Sequence, residues 1–259
     1  MEITPGFLLI NKPADITSYG CIRHLKRILK QKIKIGHAGT LDPFATGLLI
    51  VALGRQATRL ISHIMEMEKT YIATGKCGEL TDTLDCTGTV VSTCAYIPSE
   101  EEIKTSLASF GSSYEQIPPL YSALKHEGNR LYALTRQNDM SLQELQTIAE
   151  NKCRTVQLYD LQLLSYESPQ FTIKARVSHG TYIRTLVNDI ASRACPSSFD
   201  ELRMSGERSR AGSCATTYQL ARTTIGTFNV ACATDLMAIQ SLDDINRLII
   251  PVENIDLIK

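Results

Sequence analysis

Hydrophobic and polar positions along the chain change period several times, and each change predicts an element. Phe7 to Ile10 is a short apolar run read as a strand, ended at Asn11-Lys12-Pro13 because proline cannot extend a ladder. Thr17 or Ser18 is suited to cap a helix reaching about Lys30, with Ile22, Leu25, Ile28 and Leu29 on its buried stripe. Leu48 to Leu53 is apolar at every position, as in a strand covered on both faces, and Ala57 to Met65 reads as a helix. Lys69 to Gly75 and Thr89 to Ser92 read as strands around a Gly/Thr/Asp-rich loop, Gly78 to Gly88. Ser99 with Glu102 fits a capping box, followed by Ile103, Leu107 and Phe110 on one face and Gly111 as the stop. Asn129 to Gln137 reads as a further helix. Phe171, Ile173, Ala175 and Val177 alternate with Thr172, Lys174, Arg176 and Ser178, a half-buried strand. After Gly180 the period lengthens, with Ile183, Leu186, Val187, Ile190 and Ala194 marking a helix, so Tyr182 and Arg184 sit at a strand-to-helix junction.

Strands separated by helices and long loops predict an α+β fold, with a mixed or antiparallel central sheet flanked by helices and loops. The stretch from about Ile97 to Asn151 is expected as a helical insertion in that sheet. We expect a catalytic domain over residues 1–215 and a short helical tail over residues 216–259.

Composition narrows the class. In 259 residues, 43% hydrophobic and 21% charged, there is ample material for a core, which excludes disorder and fibrous repeats. The longest apolar run is far below the ~18–20 residues that cross a bilayer, and no signal peptide is evident. A protein without membrane attachment, in the cytoplasm, is expected. Eight cysteines, none in a C-x-x-C pair, read as reduced and mostly buried thiols, and no zinc-type spacing appears, so no metal is assigned.

Charge matters by position. Lys+Arg and Asp+Glu are equal at 27 each, which argues against coating nucleic acid by bulk attraction. Yet Arg23, Lys26, Arg27 and Lys30 share a ~100° arc of the first helix, within a stretch from Arg23 to Lys34 that holds six Lys/Arg and no acid. Lys174, Arg176, Arg203, Arg208 and Arg210 add a second basic region, whereas acids gather at Glu100 to Glu102 and near the carboxyl end.

The densest signal is Lys34 to Leu49, KIGHAGTLDPFATGLL, in which three glycines and a proline surround one carboxylate, Asp42. Such a loop can hold one side chain out at a sheet edge, although an isolated Asp-Pro is usually only a turn. The stretch resembles the signature G-H-x-G-T-L-D-P-x-A-T-G-x-L of the tRNA pseudouridine synthase B family. The resemblance extends in order through GFLLINKP (Gly6 to Pro13), Lys69-Thr70-Tyr71, GELTDTLDCTG (Gly78 to Gly88), IPPLYSALK (Ile117 to Lys125) and GTYIRT (Gly180 to Thr185), covering about Gly6 to Leu202.

The resemblance implies roles. Asp42 is then the catalytic nucleophile, His37 the residue inserted near a flipped base, Tyr71 the ring stacked on the uracil, and Tyr182 and Leu202 further pocket residues. Arg184 pairs with the aspartate, Lys12 and Pro13 support its loop, and Asp85 belongs to the Gly78–Gly88 loop. Taken alone, Tyr71, Tyr182 and Leu202 would read as core and Arg184 as a solvated charge. The reaction implied is isomerisation of uridine to pseudouridine at conventional tRNA position 55, by glycosidic cleavage, rotation of the base and rejoining through carbon, without cofactor. One ionised carboxylate suffices, whether it attacks base or sugar or removes a proton; a neighbouring guanidinium would keep it charged. Extruding the base from its loop costs a few kcal/mol, which His37 would offset by filling the gap. The partner expected is the tRNA T-stem-loop, its phosphates along Arg23, Lys26, Arg27 and Lys30, bound by a monomer.

Two departures stand out. Met204 occupies a position that is commonly basic in the family, and the chain reaches Lys259 soon after Ile250-Pro251, where most bacterial members continue into an RNA-binding PUA domain. An absent or vestigial PUA domain is expected, with weaker contacts to the acceptor end of tRNA. Other readings are a guide-RNA-dependent relative acting on ribosomal RNA, a tRNA-folding chaperone with little catalysis and, more remotely, a glycoside hydrolase using Asp82 or Asp85 as second carboxylate.

Overall fold

The computed structural model describes residues 3–122, 124–126, 129–130, 135, 140–195 and 213–254. In chain order these form β1 (Gly6–Lys12), α1 (Ser18–Leu29), β2 (Ile35–His37), β3 (Thr46–Leu53), α2 (Gly54–Thr58), α3 (Ile61–Glu66) and β4 (Lys69–Cys77). Then come β5 (Glu79–Thr81), β6 (Val90–Thr93), α4 (Glu100–Ser109), β7 (Ser113–Gln116), β8 (Lys125–His126), β9 (Asn129–Arg130), α5 (Leu142–Glu150), β10 (Arg154–Glu167), β11 (Gln170–Val177) and α6 (Ile183–Arg193). The chain continues through β12 (Ala215–Ile225), β13 (Phe228–Asn229), β14 (Thr234–Asp235), α7 (Leu242–Leu248) and β15 (Ile250–Pro251). No described helix is long and apolar enough to cross a membrane.

The chain forms two compact units, Met1–Ile72 with Leu220–Lys259, and Ala73–Gln219. In the first, β1 pairs antiparallel with β3 from Gly6↔Leu53 to Lys12↔Gly47, and β12 pairs parallel with β3 at Ala221↔Thr46 and Arg222↔Gly47, which makes the sheet mixed. The unbroken apolar run in β3 is explained by two cores. Leu49, Val51 and Leu53 pack with Leu8 and Ile10 of β1 and with Cys21, Leu25 and Leu29 of α1. Leu48, Ile50 and Ala52 face the other way, with Phe7, Leu9, Ala57 and Ile64. A strand buried on both faces has no use for alternation.

The second unit holds the antiparallel pairs β10–β11 and β10–β7. Phe171, Ile173, Ala175 and Val177 of β11 are all buried, as their alternation predicts. Both capping boxes, Ser99–Glu102 on α4 and Ser141–Glu144 on α5, are formed, and Ser106 of α4 donates to the Ile190 carbonyl of α6 at 2.8 Å.

Several elements differ from expectation. The helix expected over 57–65 is two short ones, with Ala57 of the first and Ile61 and Ile64 of the second packed on the same core. Asn129–Arg130 pair with Lys125–His126 as strands rather than opening a helix; of the remainder to Gln137, only Thr135 is described, and it is helical. Within 97–151, β7 is sheet, not helix, because β10 offers it a partner. The residues expected as a helical tail mostly pair with the first unit's strands, β12 on β3 and β14 and β15 on β1, and among the described ones α7 is the α-helix.

The cysteines differ most. Cys94 and Cys214 form a disulfide, with Cα atoms 6.0 Å apart. Both are tied to one glycine: Cys94 N–H donates to the Gly78 carbonyl at 2.9 Å and Gly78 N–H donates to the Cys214 carbonyl at 3.1 Å. Cys21 and Cys77 are buried free thiols as expected, but Cys86, Cys153 and Cys232 are exposed.

Candidate active site

Asp42 lies half-buried in the loop between β2 and β3, and the backbone on both sides of it is held from three directions. Its own carbonyl accepts from Ala45 N–H at 3.1 Å, closing a turn over Pro43 and Phe44. On the preceding side, the buried hydroxyl of Ser18, first residue of α1, accepts from Leu41 N–H at 2.9 Å and donates to the Leu41 carbonyl at 3.2 Å. On the following side, Lys12 Nζ donates to the Pro43 carbonyl at 3.0 Å, and to Pro13 at 2.8 Å and Ile16 at 2.7 Å. Pro13 thus acts through its carbonyl, as one of three acceptors that hold the Lys12 ammonium.

The third hold is Arg222. Its Nε donates to the Leu48 carbonyl at 2.9 Å and its Nη2 to the Gly39 carbonyl at 3.0 Å, so one guanidinium spans the two ends of the loop. The glycines make room for it. Gly47 has φ +100° and a Cβ there would sit 2.3 Å from the Arg222 carbonyl oxygen; Gly39 has φ +95°. Both needs, a left-handed backbone and close approach of another strand, exclude any other residue at Gly47.

Arg222, Lys12 and Lys69 form a buried group of cations. Burial lowers the Lys12 pKa to about 8, against the opposing pull of Cys21, Asp15 and Asp42, and Arg222 lowers it further. Lys69 is likewise lowered to about 8 by burial and by Arg222, and it donates to the carbonyls of Met65 (2.7 Å) and Met67. His37 is half-buried; burial and Arg222 lower its pKa, and its Nδ1 is a buried atom without a hydrogen-bond partner. Buried polar atoms in native folds nearly always have a partner, so this orphaned nitrogen at the last residue of β2 is an exception. Tyr71, on β4, is buried at 8% exposure.

In the second unit the Gly78–Gly88 loop is organised by Asp85. One oxygen, Oδ1, accepts from Thr83 Oγ1 (2.9 Å), Thr87 N–H (3.0 Å) and Thr87 Oγ1 (2.5 Å); Oδ2 faces Arg184 Nη1 at 3.4 Å. Arg184 also donates to the carbonyls of Thr83 at 2.6 Å and Tyr121 at 2.9 Å. Asp85 and Arg184 are each 4% exposed, so this is a buried ion pair. Asp82 ties in the remaining motif by accepting from Tyr121 Oη at 3.2 Å.

Tyr182 is the cap residue of α6, and its backbone is clamped by the fully buried Gln116: Tyr182 N–H donates to Oε1 at 2.7 Å and Nε2 donates to the Tyr182 carbonyl at 3.0 Å. Gln116 Nε2 also meets Tyr114 Oη, and Arg154 lies over the Tyr182 ring at 4.9 Å. Leu202, Arg203, Arg208 and Arg210 lie outside the described residues. Arg23, Lys26, Arg27 and Lys30 are all exposed on α1. Among the described residues no cluster of three His, Cys, Asp or Glu side chains is placed to hold a metal.

Sequence reasoning missed Ser18, Gln116 and Arg222. Gln116 directly precedes the Ile117–Lys125 motif, a usable signal; for Arg222 the chain offers none, because its partners are 174 and 183 residues away.

Comparison with known proteins identifies the family. Residues 26–183 match the TruB family pseudouridylate synthase N-terminal domain. A tRNA pseudouridine synthase B from Desulfotalea psychrophila is 42% identical over 205 residues, 78% of this chain and 81% of the relative. One from Clostridium kluyveri is 36% identical over 250 residues, 96% of this chain and 76% of the relative. Among solved structures, a chain in a Cbf5-Nop10-Gar1 complex matches with TM-score 0.62 and 25% identity, over 96% of this chain and 60% of that one. With its mixed α+β fold and ordered motifs, the chain belongs to the TruB family of pseudouridylate synthases.

Proposed function

We propose that this enzyme isomerises the T-loop uridine at conventional position 55 of tRNA, working in the cytoplasm as a monomer. The observation that carries this is the fixing of the Asp42 loop: Ser18 holds Leu41, Lys12 holds Pro43 and Arg222 holds Gly39 and Leu48, so the backbone that presents the carboxylate is pinned on both sides. Pre-set geometry of this kind is what a reaction without cofactor requires. The step is balanced within one nucleotide: the C1′–N1 bond breaks, the base turns, C1′–C5 forms, C5 loses its proton and N1 gains one. Asp42 is the group that engages the nucleotide, Tyr71 stacks on the detached uracil so that it rejoins rather than leaves, and His37 fills the space of the extruded base. For Tyr182 and Arg184 the support is the match of GTYIRT to the family motif, which assigns Tyr182 to the pocket and Arg184 to keeping the aspartate charged. Leu202 takes the role of further pocket residue that the resemblance gives it.

The tRNA reading is favoured over a guide-directed relative by identity: 36% and 42% to the two tRNA pseudouridine synthase B proteins, against 25% to the chain of the Cbf5 complex. The test is conversion of the T-loop uridine in a bare T-stem-loop RNA, with Asp42→Asn as the blank. No pseudouridine with the unaltered enzyme would refute the assignment.

A further inference from the structure

The substrate-facing chemistry above leaves one exposed feature of the first unit unused. Tyr19, second residue of α1, is 58% exposed, although the opposite stripe of the same helix is fully committed to the core. At 100° per residue, Tyr19 falls within the arc of Arg23, Lys26, Arg27 and Lys30, and the Lys26 ammonium lies 5.9 Å from the centre of its ring. Lys32 and Lys34 extend the exposed cations to the start of β2. No Asp or Glu occurs between Asp15 and Asp42, and none of these six cations has an ion-pair partner among the described residues. The first turn of α1 carries no acid either, so the positive end of its dipole is uncompensated by a carboxylate.

An aromatic ring set in a row of unpaired cations is a composite surface. The cations suit phosphates; the ring offers a π-face that phosphates do not use, and every nucleobase does. The apolar stripe of α1 is buried, so a lipid surface has nothing to accept it. We propose that α1 is a nucleotide-binding rail, on which Tyr19 stacks an unpaired base of the substrate RNA, other than the reacting uracil, while Lys26 and Lys30 hold the flanking phosphates. This rests on the proposed RNA activity and adds a second recognition point that leads along Lys30, Lys32 and Lys34 toward the Asp42 loop.

The experiment is equilibrium binding of full-length tRNA to the Asp42→Asn protein across a salt series, with Tyr19→Ala, Tyr19→Phe, Tyr19→Leu and a Lys26→Ala/Lys30→Ala double variant. Loss of the stacked base should raise Kd by about fivefold or more in Tyr19→Ala. Tyr19→Phe should bind within about twofold of the parent, and Tyr19→Leu, which keeps apolar bulk but has no ring, should bind like Tyr19→Ala. The double lysine variant should flatten the dependence of log K on log salt by roughly 1–2, and the tyrosine variants should leave that slope unchanged. Equal Kd for Tyr19→Ala and the parent, or full rescue by leucine, overturns the proposal. Conversion of uridine by the unaltered enzyme is scored on the same RNA, so failure of the rail is separable from failure of the activity.

Discussion

Arg222 Nη2 donates to the Gly39 carbonyl at 3.0 Å while its Nε donates to that of Leu48 at 2.9 Å, so a single buried side chain from β12 closes the loop that displays Asp42. The guanidinium does this by geometry: a fork with fixed angles reaches two carbonyls that a single ammonium would not reach together.

Arg222→Lys is therefore expected to lower kcat by about 100-fold with little change in KM, since displacing a reacting group by ~1 Å costs on that order. Single-turnover conversion of a T-stem-loop measures it. Partial recovery in millimolar guanidinium with Arg222→Ala would identify positioning as the lost function, whereas an unchanged kcat in Arg222→Lys would show that the loop stands without the clamp.

Lys12 predicts a pH effect. Its pKa of about 8 in the folded enzyme lies below the ordinary lysine value, so the unfolded chain binds the extra proton between about pH 8 and 10 and stability rises with pH across that window as the cost of burying charge disappears. Activity moves the opposite way, because deprotonation weakens the hold on the Pro43 carbonyl. A falling limb in kcat near pH 8 is expected, and Lys12→Met should lower activity throughout and remove the limb. Lys69 titrates in the same range but bonds Met65 and Met67, so Lys69→Met should keep it.

Asp85→Asn leaves the buried Arg184 without its carboxylate at 3.4 Å. Removing one member of a buried pair costs about 3–5 kcal/mol, so the urea midpoint should drop sharply. An unchanged midpoint would mean that the other partners of Arg184, the Thr83 and Tyr121 carbonyls among them, satisfy it.

Asp189 gives a stability signature at lower pH. Burial raises its pKa to about 6, against the opposing effects of the Tyr114 hydrogen bond and the Arg193 charge. Between about pH 4 and 6 the folded chain binds the proton and the unfolded one does not, so this group makes stability fall as pH rises through that window. Thermal unfolding of Asp189→Asn should show a shallower decline over the same range; an identical slope would remove Asp189 as its source.

Legibility followed the range of the interactions. Where a residue's environment is set by near neighbours, the pattern spoke plainly: the alternation of β11, the stripe of α1 and the Ser99–Glu102 box all stand as expected. The Asp42 loop was readable because its glycines, proline and carboxylate are contiguous. What stayed hidden depends on distant strands. β7 became sheet by pairing with β10, β12 by pairing with β3, and Cys94 found Cys214 at a separation of 120 residues. Arg222 shows this most sharply, since in sequence it is one more basic residue among threonines and in the fold it is a fully buried donor.

The wide separation between the loop and its clamp also sets an order in time. A ribosome adding ~5–20 residues per second needs about 9–35 s to pass from Leu48 to Arg222, a separation of 174 residues. During that interval the emerging chain already carries the carboxylate but not the part that holds its loop. The clamped form of the loop, and with it the geometry that holds Asp42, therefore belongs to the nearly finished chain.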